Sequence, residues 1–213
     1  MAELIKKISV QIIIIIFSSQ ISIIAQDIKL PEPQKEGGIP LMEALSKRKS
    51  SRNFSSKELS NQVLSNLLWA AYGFNRPEQK MRTAPSAWNV QNINIYIAKS
   101  DGLYLYDADN NSLKLILNKD IRQNTGSQSF VKDVPVNLIY CADLSMMSRV
   151  GEKAKFYSAA HTGFVAQNVY LFCASCNLGT VVRDLIDRDN LKKLMNLEDN
   201  YEIILAQSVG YTD

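Results

Sequence analysis

The chain has 213 residues, enough for one domain with a substantial core and too few for two comfortable ones. Hydrophobic residues make up 46% and charged residues 21%, the balance of an ordinary globular protein. A formal charge of +3 is too small to suggest nucleic-acid binding, and no basic stripe is interleaved with aromatics.

Residues 1–25 read as a secretory signal peptide. Lys6 and Lys7 precede an apolar run over 8–25 that holds five consecutive isoleucines, 12–16. Ser18, Ser19, Gln20 and Ser22 dilute its far end, and Ala25 puts a small residue at the cleavage position. The expected product is exported, periplasmic or secreted, with no membrane attachment once the signal is removed. An uncleaved N-terminal membrane anchor is the alternative, although the run barely reaches the roughly 20 residues a span needs. No Cys follows it, so a lipoprotein anchor is not expected.

Pro31, Pro33, Gly37, Gly38 and Pro40 then mark an extended linker over 26–39, and one domain is expected over 40–213. Leu41, Met42 and Leu45 predict a short helix face that runs into Lys47, Arg48 and Lys49. Ser55 and Glu58 stand in capping-box spacing ahead of a helix carrying Leu59, Val63, Leu67, Leu68 and Ala71, with Gly73 as its stop. Residues 92–98 alternate and predict a strand burying Ile93, Ile95 and Ile97. Strands over 103–106 and 113–117 flank a turn-rich tip at 107–111, which predicts a hairpin. Residues 136–142 are nearly all apolar and predict a central strand covered on both faces.

A long helix is expected over 154–177, buried in the core, with Gly179 just past its end. Asp187 should cap a short helix through Leu194, and 202–211 should form a final strand. Helices and strands alternate without a strict βαβ rhythm. The fold class is therefore α+β with a mixed or mainly antiparallel sheet. Cys173 and Cys176 form a C-x-x-C, but inside a helical pattern, where no helix N-terminus lowers a thiol pKa; small packed residues are the simpler interpretation.

His161 is the one histidine, and no acids or cysteines have metal-ligand spacing. The nucleophile elbow, the phosphate-binding P-loop and the dinucleotide glycine fingerprint are all missing. An enzyme built from this chain would need a cofactor to supply the reactive atoms. Two clusters are candidates for holding one. Arg48-Lys49-Ser50-Ser51-Arg52-Asn53-Phe54 offers cations and hydroxyls suited to a phosphate, although a solvated helix end would have a similar look. Arg82-Thr83-Ala84-Pro85-Ser86-Ala87-Trp88-Asn89-Val90-Gln91 concentrates amides and hydroxyls on a Pro-stiffened loop before a strand, which could equally be a capping loop.

Together the clusters resemble the nitroreductase-like FMN oxidoreductases, a family that includes the azoline-oxidase-type dehydrogenases. Arg48, Ser50, Arg52 and Phe54 match the family's Arg-x-Ser-x-Arg/Lys-x-Phe at the end of its first helix. Pro85, Ser86, Asn89 and Gln91 match its Pro-Ser-x-x-Asn-x-Gln loop. Ala166-Gln167-Asn168 followed by Leu178-Gly179-Thr180 is similar to a third landmark, and residues 203–211 to the closing strand. The likeness spans roughly residues 40–211.

The resemblance implies a homodimer with FMN at the interface, working by ping-pong transfer from a donor such as NAD(P)H to a small-molecule acceptor, a nitroaromatic or quinone. Arg48, Ser50 and Arg52 would hold the phosphate and ribityl chain, with Arg48 or Lys49 reaching toward the ring. Ser86, Asn89 and Gln91 would bond the flavin from the partner subunit. Gly179, Thr180 and Asp184 would line the N5 edge, and Gln128 would be a further contact. An FMN-dependent dehydrogenase resembling the azoline oxidases, and a flavin-free binding module, are the alternatives.

Two departures from the family pattern matter. Many members continue into an arm that returns a cation to the phosphate, whereas this chain stops at Asp213, so that contact is expected to be missing or replaced. Asp184 also stands where members often have Gly or Glu, and an acid there would disfavour an anionic reduced ring unless it points away.

Overall fold

The computed structural model describes residues 26–212. The expected signal segment, 1–25, lies outside the described residues. No helix among the described residues is long and apolar enough to cross a membrane.

Among the described residues, nine strands and four α-helices follow in order: β1 Ile28–Lys29, α1 Leu41–Lys47, α2 Asn61–Tyr72, β2 Phe74–Arg76, β3 Met81–Arg82, β4 Ile93–Lys99, β5 Gly102–Asp107, β6 Ser112–Leu117, β7 Val136–Asp143, α3 Ala154–Ser175, β8 Leu178–Arg183, α4 Arg188–Leu194 and β9 Tyr201–Tyr211. Seven strands form one sheet in the order β1-β6-β5-β4-β7-β9-β8, and β2 with β3 forms a small separate ribbon. Every pairing is antiparallel, so the class is α+β with a mainly antiparallel sheet, as expected.

Strand periodicity explains the two-layer core. Ile93, Ile95 and Ile97 of β4 and Leu138 and Tyr140 of β7 point into the α2–α3 side. Tyr96 and Ala98 of β4 and Ile139 and Cys141 of β7 point the other way, against Leu191 and Met195 from the α4 region. The central strands are thus apolar on both faces because both faces are covered.

Several boundaries differ from expectation. The cap of α2 is Ser60, whose Oγ accepts from Val63 N–H at 3.3 Å, and not Ser55. Ser55 is already engaged: its N–H donates to Tyr211 O at 2.9 Å, which holds the segment before α2 extended along the sheet. Gly73 does end α2, its N–H donating to Trp69 O at 2.8 Å. The long helix ends at Ser175, and Asn177 takes the left-handed turn (φ 54°) assigned above to glycine. Gly179 belongs instead to β8, a strand that the alternation did not reveal.

Nor is α3 wholly buried. Val165, Ala166 and Val169 face the core, while Phe156 is 71% and Phe164 47% exposed. On α1 the apolar face also points outward, with Leu41, Met42 and Leu45 at 62, 76 and 44% and Ala44 buried. Residues 26–39 are extended, but they are fastened to the domain. Leu30 is buried and its N–H donates to Asn111 O, Ser65 and Asn111 both donate to Pro31 O, and Ile39 N–H donates to Ser175 Oγ.

Candidate functional site

The chain leaves α1 at Arg48 and runs extended past the outer edge of β8. Ser51 N–H donates to Thr180 O at 2.9 Å, giving that edge a partner. Extended geometry sends alternate side chains to opposite sides. Arg48 lies over the ring of Tyr170, 5.3 Å from its centroid, and Ser50 Oγ hydrogen-bonds the Tyr170 hydroxyl at 2.9 Å. The same hydroxyl accepts from Val182 N–H at 3.0 Å, so Tyr170 ties the run to β8. Lys49 and Ser51 line a cleft of about 410 Å³ together with Lys47, Tyr170, Thr180 and Thr212.

The charges around this cleft are unbalanced. Lys47 pairs with Glu43 at 2.7 Å, but Arg48, Lys49 and Arg52 have no carboxylate partner among the described residues. Three cations without a carboxylate partner among the described residues, on one run with two serine hydroxyls, suit an anion with several oxygens. Gly179 sits at a close approach of neighbouring side chains. A Cβ on it would fall 2.4 Å from Thr212 Cγ2 and 3.1 Å from Ser51 Cβ.

The second cluster has the opposite character. Trp88, Asn89 and Gln91 all have positive φ, at 51°, 53° and 51°. Each such non-glycine residue costs about 1–2 kcal/mol, so the loop needs compensating bonds. Gln91 N–H donates to Ser86 Oγ at 3.0 Å, and Gln91 Nε2 donates to Asn89 Oδ1 at 2.9 Å and to Lys80 O. Arg82 Nε donates to Gln91 Oε1 at 2.7 Å. Ser86, Asn89 and Gln91 therefore hold one another, and the Gln91 amide shapes the loop instead of projecting from it. Trp88 is 64% exposed and meets Tyr157 edge-on at 5.6 Å.

The two clusters do not meet within one chain. The loop touches α3 through His161 and the cation run touches it through Tyr170. Nine residues of helix are about 14 Å. The clusters thus sit at different levels of the same helix.

Beyond the outer end of β8, Asp184 pairs with Arg188 of α4, which also donates to Ile203 O at 2.9 Å. The acid is exposed and already neutralised, so it presents no isolated negative charge. Gln128 lies in a loop of 3-10 turns on the opposite face of the sheet, and its buried Oε1 has no hydrogen-bond partner among the described residues. Beside it is Arg183, which belongs to neither of the two sequence clusters. Arg183 is buried and donates to Ser208 Oγ, Thr125 O, Thr125 Oγ1 and Asn137 Oδ1, with no carboxylate partner among the described residues. Burial pulls its pKa down to about 10. Tyr170 was missed as well, since an aromatic in an apolar helix carries no spacing signal.

The thiols are unactivated. Cys173 is buried in α3 and Cys176 lies at its end, both are free, and burial pushes both pKa values up. No group of acids, cysteines and histidine among the described residues could hold a metal ion.

Comparison with known proteins places this geometry. The nitroreductase family model matches residues 45–211. A nitroreductase candidate of Methanocaldococcus jannaschii is 30% identical over 190 residues, covering 84% of this chain and 93% of that protein. A crystal structure of a nitroreductase candidate from Ralstonia eutropha is 40% identical with a TM-score of 0.85, covering 89% of this chain and 90% of that one. The NADPH:FMN oxidoreductase of Vibrio harveyi, in complex with NAD+, shares the fold at 17% identity and a TM-score of 0.62, over 81% of this chain and 69% of that one. Fold, motif order and sequence agree over most of its length: the chain belongs to the nitroreductase family.

Proposed function

We propose that this chain is an FMN-dependent oxidoreductase that works as a homodimer. It would take electrons from a donor such as NAD(P)H and pass them to a nitroaromatic, a quinone or a similar small acceptor. One observation carries the cofactor reading: the run holding Arg48, Lys49 and Arg52, all without carboxylate partners among the described residues, lies along the edge of β8, with Lys49, Ser51 and Thr180 lining one cleft and Arg48 and Ser50 set on Tyr170. Such a set fits a phosphate dianion and the hydroxyls of a ribityl chain. The missing Cβ at Gly179 fits the close approach of Ser51 and Thr212 there.

Bound FMN would supply a ring able to accept a hydride and return electrons to an acceptor. The chain's own part is binding, orientation and exclusion of water. Arg48 and Arg52 would hold the phosphate and neutralise its charge. Lys49, which lines the cleft, would place a cation near the ring's electron-rich edge, where it would favour the reduced form. The Asp184–Arg188 pair keeps the nearby carboxylate from opposing that.

The dimer reading rests on two features. Leu41, Met42 and Leu45 of α1, Trp88, and Phe156 and Phe164 of α3 form exposed apolar surface of the kind a partner covers. The second is that the cation run and the 85–91 loop lie about 14 Å apart along α3, so a second copy set against that helix would bring its loop to the first copy's clamp. Exported location is likewise our reading. Asp27 already accepts from Leu115 N–H at 2.8 Å, so cleavage near Gln26 would leave that contact in place. N-terminal sequencing of the protein from its host checks this, and an uncut cytoplasmic chain would refute it.

The test of the cofactor reading is the visible absorbance of the purified protein, followed by titration of the apoprotein with FMN. Bound flavin in about one equivalent per chain is expected. A colourless protein with no affinity for added FMN would leave a family member without the family's chemistry.

A further inference from the structure

His161 is the chain's one histidine, and the function proposed above gives it no part. Its ring is buried in α3 with both nitrogens engaged. Nε2 accepts from Ala87 N–H at 2.8 Å, and Nδ1 lies 2.8 Å from Asn92 Oδ1. The backbone N–H of Ala87 can only donate, so Nε2 must present its lone pair and the proton of the neutral ring must sit on Nδ1. The Asn92 oxygen accepts it, while Asn92 Nδ2 donates to Ser158 Oγ at 2.8 Å, also on α3. That leaves one arrangement: Nδ1 carries the proton, and the Nε2 lone pair receives the amide of Ala87.

Only the neutral ring can do this. A second proton would go to Nε2 and set two donors against each other at the Ala87 contact. Ala87 sits between Ser86 and the left-handed pair Trp88 and Asn89, so the lost bond falls beside strained backbone. We propose that His161 is a positioning residue that fastens the 85–91 loop to α3 only while its ring is neutral, so that mild acid frees the loop and weakens FMN binding. The FMN half of this rests on the cofactor reading above; the loop half does not.

The charged and titratable surroundings leave the imidazole as the group that switches. The loop itself carries no titratable side chain. On α3, Tyr157 lies 6.3 Å away ring to ring, and Lys155 pairs with Glu202. At the loop's base Arg82 is stacked over Tyr72 and bonded to Gln91. From β7, Asp143 donates its N–H to Asn92 O, but its carboxylate accepts from Ser145 and Asn200.

Burial disfavours the imidazolium and lowers the pKa of His161. The freed ring then binds more protons than the latched one below about pH 6.5. Latching is complete above that value and is lost as pH falls toward the depressed pKa.

The chain has two tryptophans, so a Trp69→Phe background makes Trp88 the sole reporter of the loop. Fluorescence of that protein, followed from about pH 7.5 to 5 with far-UV circular dichroism as a check on the fold, should show a one-proton transition. Adding His161→Gln should abolish it, because glutamine can donate to Asn92 and accept from Ala87 without titrating. FMN titrations across the same range should lose about tenfold or more in affinity relative to the His161→Gln protein. Comparing the two removes the phosphate's own second ionisation.

An unchanged transition in His161→Gln, or no Trp88 response in the parent, overturns the latch. If His161→Gln does not fold, ring nitrogen shifts of the parent at neutral pH decide: a neutral ring with its proton on Nδ1 supports the latch, and any other state refutes it. A protein that shows the Trp88 transition yet never binds FMN refutes the cofactor reading and leaves the latch standing.

Discussion

The cation run at 48–52 and the loop at 85–91 stand opposed in where their polar groups go. Along the run, Arg48, Lys49 and Arg52 find no carboxylate among the described residues, and the backbone is extended and unstrained. In the loop, Ser86, Asn89, Gln91 and Arg82 bond to one another, and three residues sit at positive φ. The first is electrostatically incomplete and calls for an anion. The second is satisfied internally and offers shape, a fixed backbone and an exposed Trp88. A site built from both would take its affinity from the run and its fit from the loop.

The comparison can be broken most sharply at the surface that would join the two. Phe164→Asp places a charge on the exposed apolar face of α3, away from both clusters' hydrogen bonds. We expect a monomer that binds FMN at least about a hundredfold more weakly, because truncating or charging a central apolar anchor costs several kcal/mol. Sedimentation and FMN titration measure the two effects. A monomer that keeps full affinity would place the whole site within one chain.

Arg52→Ala comes next. A charge-assisted hydrogen bond contributes roughly 1.5–3 kcal/mol, so FMN affinity should fall about ten- to a hundredfold. Arg48→Ala should cost at least as much, since that side chain also covers Tyr170. Riboflavin, which has no phosphate, should lose little with Arg52→Ala.

Gln91→Ala probes the other region. It strands Arg82 Nε and the Asn89 amide, which should cost about 1–3 kcal/mol of stability. FMN and riboflavin should weaken equally, because shape and not charge is lost. A preferential loss of FMN would show that the loop, too, recognises phosphate. The smallest effect is expected at the thiols: Cys173→Ala and Cys176→Ala should change turnover by less than about tenfold, or roughly 1.4 kcal/mol. A larger loss with flavin still bound would reveal a redox relay.

Elements whose signal lies in their own residues were legible from sequence. Ile93, Ile95 and Ile97 alternate because their strand has two different faces, and Asp187 caps α4 through Asn190 N–H as its position implies. What depended on distant chain was not legible. Ser55 and Glu58 make a good local capping pattern, but Tyr211 had already claimed the Ser55 backbone. The strand β8 follows a helix end without alternation, its character set by β9 beside it. Phe156 and Phe164 look like core residues because the helix is apolar all round, and only packing shows which side has no cover. In the candidate site the charged residues could be picked out by type and spacing. Tyr170, Arg183 and His161 could not, because each acts by bridging segments far apart in sequence.

The central claim is that the run at 48–52 is a phosphate clamp. Parallel titration of the apoprotein with FMN and riboflavin tests it directly, since the two flavins differ only in that group. The account predicts that FMN binds at least about tenfold more tightly, with the gap narrowing in Arg52→Ala. Equal affinities for the two flavins would contradict it, even in a protein that proved to be a flavoenzyme.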